Sequence, residues 1–174
     1  MKTRFSTCVI AMVMLAACGK DDAPVSTAVD PSVFDAFFAA TPPAGAAEIH
    51  EVRASATPGE EITLHGRVMG RMRPFVDGRA AFVLGDTTLL TPCNEKPDDS
   101  CPTPWDVCCD SAEAKRKGTA TVQIIGDDGR VIAQPLREVY GMVELSTLTV
   151  RGTVADGSSE DALIVNATAI HVHP

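Results

Sequence analysis

The chain of 174 residues contains 15 basic and 23 acidic residues, which gives a formal net charge of −8 at pH 7. Proteins that bind DNA or RNA neutralise phosphates with clustered lysine and arginine, so this acidic excess argues against a nucleic-acid partner. Aromatic residues make up only 5% of the chain, which leaves few side chains on which bases or sugars could stack. The length suits one domain with an ordinary hydrophobic core.

The N-terminus has the three parts of a secretory signal. Lys2 and Arg4 give a positive start, and residues 8–17 form an apolar run that is too short to span a bilayer, which takes about 20 residues. The run ends in Leu15-Ala16-Ala17, followed by a cysteine at position 18. An ordinary cleaved signal, with the cysteine incidental, is the alternative interpretation.

The four residues 15–18 resemble the lipobox of bacterial lipoproteins, in which cleavage leaves the cysteine as the acylated first residue. The resemblance implies a signal peptide over 1–17 and a lipid on Cys18 that tethers the protein to a membrane of the cell envelope, facing the periplasm. Gly19 after the cysteine favours the outer membrane under the best-known sorting rule. Cleavage would remove Lys2 and Arg4, so the formal charge would become −10. Several acyl chains make such a tether long-lived.

Residues 18–32 are small and polar without periodicity, which is typical of a flexible tether. Asp30-Pro31 is a helix start, with Asp as the N-cap and Pro at the first helical position. An apolar stripe at helical spacing then predicts a short amphipathic helix over 33–44, formed by Val33, Phe34, Phe37 and Phe38. We expect this stripe to pack on the domain, and a docking surface for a partner or for lipid is the alternative.

Residues 45–174 change to short alternating runs separated by turns, which predicts β-strands over 48–53, 61–69, 79–84, 119–125, 130–134, 147–154 and 163–172. The expected fold is all-β. It is a single small five-stranded OB-like Greek-key barrel with a cysteine-rich loop and a short N-terminal helix, and residues 135–145 connect its third and fourth strands. Another small β-sandwich is the alternative. Residues 63–68 and 149–154 share a six-residue sequence pattern that is interrupted by a glycine, which indicates that the first and fourth strands are neighbours.

Four cysteines cluster in the loop 92–110 with the spacing C-x7-C-x6-C-C. The spacing matches neither a zinc ribbon nor a thioredoxin or haem motif. In an oxidising compartment it predicts two disulfides among Cys93, Cys101, Cys108 and Cys109. The two adjacent cysteines would each bond a distant one, because a ring between neighbours is strained. The alternative is a thiol-redox site or a soft-metal site, with His65, His171 and His173 as further metal ligands.

Trp105, the one tryptophan, precedes Asp106 in this loop, and either caps the loop or anchors a partner. Together with residues 74–80, 93–94 and 101–109, this Pro-Trp-Asp-Val-Cys-Cys segment resembles uncharacterised bacterial lipoproteins that carry an OB-like domain. The resemblance covers the chain from Gly59 to its C-terminus. It implies the fold and the cellular address, and it implies no mechanism.

No catalytic motif is present: the chain has no Gly-x-Ser-x-Gly elbow, and the paired carboxylates of Asp127 and Asp128 lie in a turn. The basic run 115–117 indicates a solvated loop. We therefore expect a non-enzymatic module without a cofactor that binds or scaffolds an envelope protein or a small ligand. A metal-binding or thiol-redox module and an OB-fold binder of nucleic acid or oligosaccharide are the two alternatives.

Overall fold

The computed structural model describes residues 29–98 and 100–174, and its main feature is a closed barrel of five strands. The signal and most of the tether predicted over 1–32 lie outside the described residues. In chain order the strands are β1 (Ala47–Glu48), β2 (Glu61–Val68), β3 (Ala81–Gly85), β4 (Thr119–Gln123), β5 (Thr147–Val154) and β6 (Leu163–Val172). The helices are α1 (Ile49–Arg53) and α2 (Ala112–Gly118), with 3-10 helices at Pro31–Phe37, Cys93–Glu95 and Val139–Gly141. The prediction of a small β-barrel with short helices is confirmed.

The barrel closes because β5 pairs with both β2 and β6. The five longer strands follow the order β2-β3-β4-β6-β5, and β5 then pairs with β2 along seven residues, from Glu61 opposite Thr153 to Arg67 opposite Thr147. Neighbouring strands are antiparallel except β4 and β6, which are parallel. β1 adds a two-residue parallel pairing to β2.

The interior of the barrel is filled by the inward residues of the alternating strands. In β2 every second residue is buried, beginning at Ile62, and in β4 the buried residues are Ala120 and Val122, as the alternation predicts. Phe82 and Leu84 of β3 are wholly buried in the same cluster. Each large apolar side chain buried in this way contributes roughly 1.5–3 kcal/mol. Because the centre is packed, candidate sites on this barrel lie on its outside and in its loops.

The two shared glycines lie where a side chain would collide with the neighbouring strand. A Cβ atom on Gly66 would lie 2.7 Å from the carbonyl oxygen of Gly85, and one on Gly152 would lie 2.7 Å from Cγ1 of Val165. Gly152 also follows a register shift between β5 and β6. The strands that contain the shared sequence pattern, β2 and β5, are neighbours, as predicted.

The N-terminal helix is shorter than predicted. It is a 3-10 helix over Pro31–Phe37, and Asp30 caps it by accepting a hydrogen bond from the backbone N–H of Ser32. The helix predicted over 33–44 ends early because Phe38 forms a β-bridge with Ile170 of β6. Phe34 is wholly buried in the barrel core, so this segment packs on the domain.

Three other segments differ from the prediction. Residues 49–53 form α1 and not a strand. The backbone N–H of His50 donates to the side-chain carboxylate of Asp86 and so is not used in a strand pairing. Residues 130–134 form no strand; a single bridge joins Ile125 to Val131. The basic run 115–117 belongs to α2, whose N-cap Ser111 accepts from the backbone N–H of Ala114, so it is not a loop.

Candidate functional site

The cysteine loop brings its sulfur atoms together beside the barrel. The Sγ atoms of Cys93, Cys101 and Cys108 all lie within 4.8 Å of one another. The Sγ of Cys108 is 3.5 Å from that of Cys93 and 3.7 Å from that of Cys109. The loop is folded back on itself, because the backbone N–H of Cys93 donates to the carbonyl of Asp106 at 2.8 Å. Three of the four cysteines of the loop are thus brought together by the fold.

The distances bear on two ways in which the sulfurs could be joined. A disulfide has an S–S bond of about 2.05 Å, so the 3.5 Å between Cys93 and Cys108 is a contact between unbonded sulfurs. Thiolates that share a zinc ion at about 2.3 Å lie roughly 3.8 Å apart, which is close to the observed spacing. The predicted pairing into two disulfides stays a prediction.

Burial differs strongly within the cluster. Cys93 is wholly buried, Cys101 is half-buried, and Cys108 and Cys109 are exposed. Burial and the neighbouring thiols raise the pKa of the Cys93 thiol to about 12. A reactive redox cysteine has a lowered pKa, since the thiolate is the nucleophile, so this environment does not favour a thiol-redox role.

Trp105 and Asp106 are held within the loop. The indole Nε1 of Trp105 donates to the carbonyl of Met72 at 3.0 Å, and the ring packs against a small buried cluster of Met69, Leu90 and Val107. A carboxylate oxygen of Asp106 accepts from the backbone N–H of the next residue at 2.8 Å. The half-buried Trp105 therefore caps the loop, and a role of these two residues in binding a partner stays a prediction.

The rings of the three histidines lie close to one another. The ring centroids of His171 and His173 are 4.7 Å apart, and those of His65 and His173 are 5.7 Å apart. A ring nitrogen of His171 contacts the carbonyl of Ala39, and one of His173 contacts the hydroxyl of Thr149, both at 2.9 Å. Burial, followed by repulsion from the other two rings, lowers the pKa of His173.

The histidines do not complete the cysteine cluster. Within residues 29–98 and 100–174, only the three cysteines bring three possible ligand atoms within 4.8 Å of one another. The sequence prediction that histidines supply further ligands to the same metal therefore lacks geometric support, because the three rings contact one another instead.

A second candidate site, which the sequence analysis missed, begins at a buried carboxylate. Asp86 follows β3 and is fully buried. It accepts hydrogen bonds from Nδ1 of His50 at 2.7 Å and from the hydroxyl of Thr88 at 2.7 Å. Three backbone N–H groups also donate to it, from His50, Thr88 and Leu89. Burial opposes its ionisation, but these bonds outweigh burial and lower the pKa of Asp86 to about 2.

His50 lies at the edge of a cavity of about 590 Å³. Basic residues of α1 and α2 line one part of its wall, namely Arg53, Arg116 and Lys117. The turn between β5 and β6 contributes Ser158, Ser159 and Glu160. These residues are far apart in the chain and follow no motif spacing. The one local signal was the Asp-x-Thr sequence at 86–88, a pattern whose carboxylate bonds the backbone that follows it.

The chain matches no protein-family profile, no curated protein and no solved structure. No helix within the described part of the chain is long and apolar enough to cross a membrane.

Proposed function

We propose that the protein is a lipid-anchored, non-enzymatic binding module of the bacterial cell envelope. Residues 15–18, ending in Cys18, support the anchor. The observation that carries the binding role is the packed barrel interior, which leaves two groups of polar and sulfur-bearing side chains on the outside, at the cysteine loop and at the cavity beside His50. A membrane-tethered scaffold that presents two such surfaces suits ligand binding.

We further propose that the barrel is of the OB type. From β2 onward the strand order is first, second, third, fifth and fourth, with the fourth closing on the first and the third parallel to the fifth. That order is the support for a five-stranded Greek-key barrel of this kind. An OB fold alone names no ligand, because one fold serves many functions, and the acidic charge argues against nucleic acid.

A specific observation favours a second candidate function, the binding of a soft metal ion such as Cu(I) or Zn(II). Three sulfur donors already lie within 4.8 Å of one another, and soft thiolate ligands select these ions. Cys109, whose sulfur is 3.7 Å from that of Cys108, lies outside this group of three and would reach a shared ion only after its side chain turned. Binding would displace the thiol protons, including that of Cys93, whose raised pKa makes metal loading weaken as the pH falls.

The anchor is tested by replacing Cys18 with serine. We expect the variant to remain unprocessed and to leave the detergent phase when membranes are extracted and separated, whereas replacing Cys8 with serine should change nothing. Normal processing and partitioning of the Cys18→Ser variant would remove the lipoprotein proposal.

The metal function is tested by counting thiols and metal in protein purified without reductant. Four thiols that become reactive only after chelation, together with one equivalent of zinc or copper, would support metal binding. A protein with no reactive thiols after chelation, and lighter by four hydrogens than its reduced form, would have two disulfides and no metal site.

A further inference from the structure

We propose that the cavity beside His50 binds the phosphate group of a small molecule or of a lipid headgroup. The inference rests on the proposed binding function and names a ligand class for it. The residues that line this cavity are separate from the cysteine loop and the anchor.

The charge of the cavity is opposite to that of the protein. The whole chain carries a formal charge of −8, yet three arginine or lysine side chains line the cavity against the single carboxylate of Glu160. Lys117 is paired with Glu113 of its own helix at 2.7 Å, and both are exposed, so that pair is weak and Lys117 stays able to turn toward a ligand. A concave site lined by one sign of charge concentrates ligands of the opposite sign.

Two guanidinium groups meet at one point of the cavity wall. Arg53 donates to the carbonyl of Thr119 at 2.9 Å and to that of Glu160 at 3.0 Å. Arg116 donates to the same Glu160 carbonyl at 3.4 Å. Burial and then the nearby charge of Arg116 lower the pKa of Arg53. An anion held between the two arginines would relieve their repulsion, and the donors that Arg116 does not use in the fold suit phosphate oxygens.

His50 adds a donor whose direction is fixed. Its Nδ1 is 2.7 Å from a carboxylate oxygen of Asp86, so Nδ1 carries the proton that the carboxylate accepts. Nε2 is then the nitrogen left for the cavity that His50 lines. The bond to Asp86 raises the pKa of His50, and the protonated ring presents an N–H at Nε2 to a bound anion. The hydroxyl of Ser159 adds a further donor, whereas that of Ser158 already donates to the carbonyl of Ile164 at 3.1 Å.

The test is calorimetric titration of the full chain, purified in detergent, with sn-glycerol 3-phosphate and with phosphatidic acid in micelles. Glycerol and diacylglycerol are the controls that lack the phosphate. We expect a dissociation constant below about 1 mM for at least one phosphate ligand and no binding of either control. Binding of glycerol 3-phosphate identifies a soluble source, and binding of phosphatidic acid alone identifies a headgroup. Binding of neither overturns the proposal.

A matched pair of variants separates the cavity from general charge. Arg116→Gln and Arg79→Gln each remove one positive charge from an exposed side chain, but Arg79 lies in the turn before β3 and does not line the cavity. We expect Arg116→Gln to weaken phosphate binding about 10-fold, which corresponds to about 1.4 kcal/mol, and Arg79→Gln to change it less than about twofold. Equal losses in both variants would show unspecific attraction and would reject the site.

The histidine gives an independent signature. The groups around His50 are Asp86, Glu48, Glu51, Arg53, Arg116, Lys117 and Glu160. Sulfate keeps its charge between about pH 6 and pH 8, so tighter sulfate binding at the lower pH reports protonation of the protein. We expect this gain in the wild type and its loss in His50→Gln. A gain that persists in His50→Gln would contradict the role of His50.

The anchor and the cavity fail separately. A Cys18→Ser variant that leaves the membrane but still binds phosphate retains the cavity. If the protein is acylated and membrane-bound but binds no phosphate, the proposed lipid anchor stands and only the proposed phosphate ligand is rejected.

Discussion

The buried carboxylate of Asp86 allows a stability prediction whose size follows from its surroundings. The pKa of Asp86 falls from an ordinary 3.8 to about 2 because five hydrogen bonds stabilise the ionised form. One pKa unit corresponds to about 1.4 kcal/mol, so the ionised carboxylate adds roughly 2.5 kcal/mol to the free energy of unfolding at neutral pH. Asp86→Asn removes the charge and places an amide NH2 group among donors.

We expect Asp86→Asn to lower the free energy of unfolding by about 2–3 kcal/mol at pH 7 and the melting temperature by about 5–10 °C. A carboxyl group whose pKa is lower in the folded protein stabilises above its unfolded pKa, and this stabilisation is lost as the pH falls through the folded pKa. The difference between wild type and variant should therefore shrink to about half near pH 3.

The assay is urea denaturation followed by circular dichroism at both pH values. Asp77→Asn is the matched control, because Asp77 is almost fully exposed in its ion pair with Arg73 and its loss should cost less than about 0.5 kcal/mol. A variant of Asp86 that is as stable as Asp77→Asn at pH 7, or whose deficit is the same at pH 3, would refute the reasoning.

Two further predictions concern the barrel and the cysteine loop. Gly152→Ala should lower the free energy of unfolding by about 1–3 kcal/mol, because the added Cβ would overlap the side chain of Val165. Gly157→Ala is the control and should cost less, because its Cβ would lie 3.7 Å from Ile164. Equal melting temperatures of the two variants would contradict the close approach at Gly152. If the loop contains two disulfides, their reduction should lower the melting temperature and leave the β-sheet circular dichroism signal intact, because the strands lie outside the loop. Loss of that signal would contradict a barrel that folds independently of the loop.

The strands were predictable where one face of the sheet is buried. In β2 and β5 alternation of apolar and polar residues gave bounds within one residue of the structure, and β6 was also located correctly. Alternation failed at residues 49–53, where the side chain of Asp86 takes up the backbone N–H of His50 and a helix replaces the strand. Such a contact joins residues 36 apart, which no local pattern contains.

The helix α2 could have been predicted, and the cavity could not. A helix is indicated by Ser111 as N-cap, by the good helix formers that follow it, and by Glu113 four residues before Lys117. The basic run 115–117 was instead interpreted as a solvated loop. The cysteine cluster was visible because its members are close in sequence. The cavity joins residues of α1, α2 and the turn after β5, and only the closure of the barrel brings these segments together.

The two candidate sites share a structural link, which leads to the last prediction. Asp110 lies between Cys109 and the N-cap of α2, and it accepts from Lys96 at 2.7 Å and from the backbone N–H of Thr91 at 2.9 Å. The same helix carries Arg116 to the cavity. Opening the sulfur cluster frees the segment that precedes α2, so the position of Arg116 should become less defined.

We therefore expect phosphate binding to weaken at least about threefold after the protein is treated with reductant and chelator and its thiols are alkylated. The measurement is the same calorimetric titration, and the Arg116→Gln variant is the control, since its remaining affinity should be insensitive to the treatment. An unchanged affinity in the treated wild type would mean that α2 is held without the loop, through its packing on α1 and its direct continuation into β4. The cysteine loop would then have no part in shaping the cavity, and the two sites would be independent.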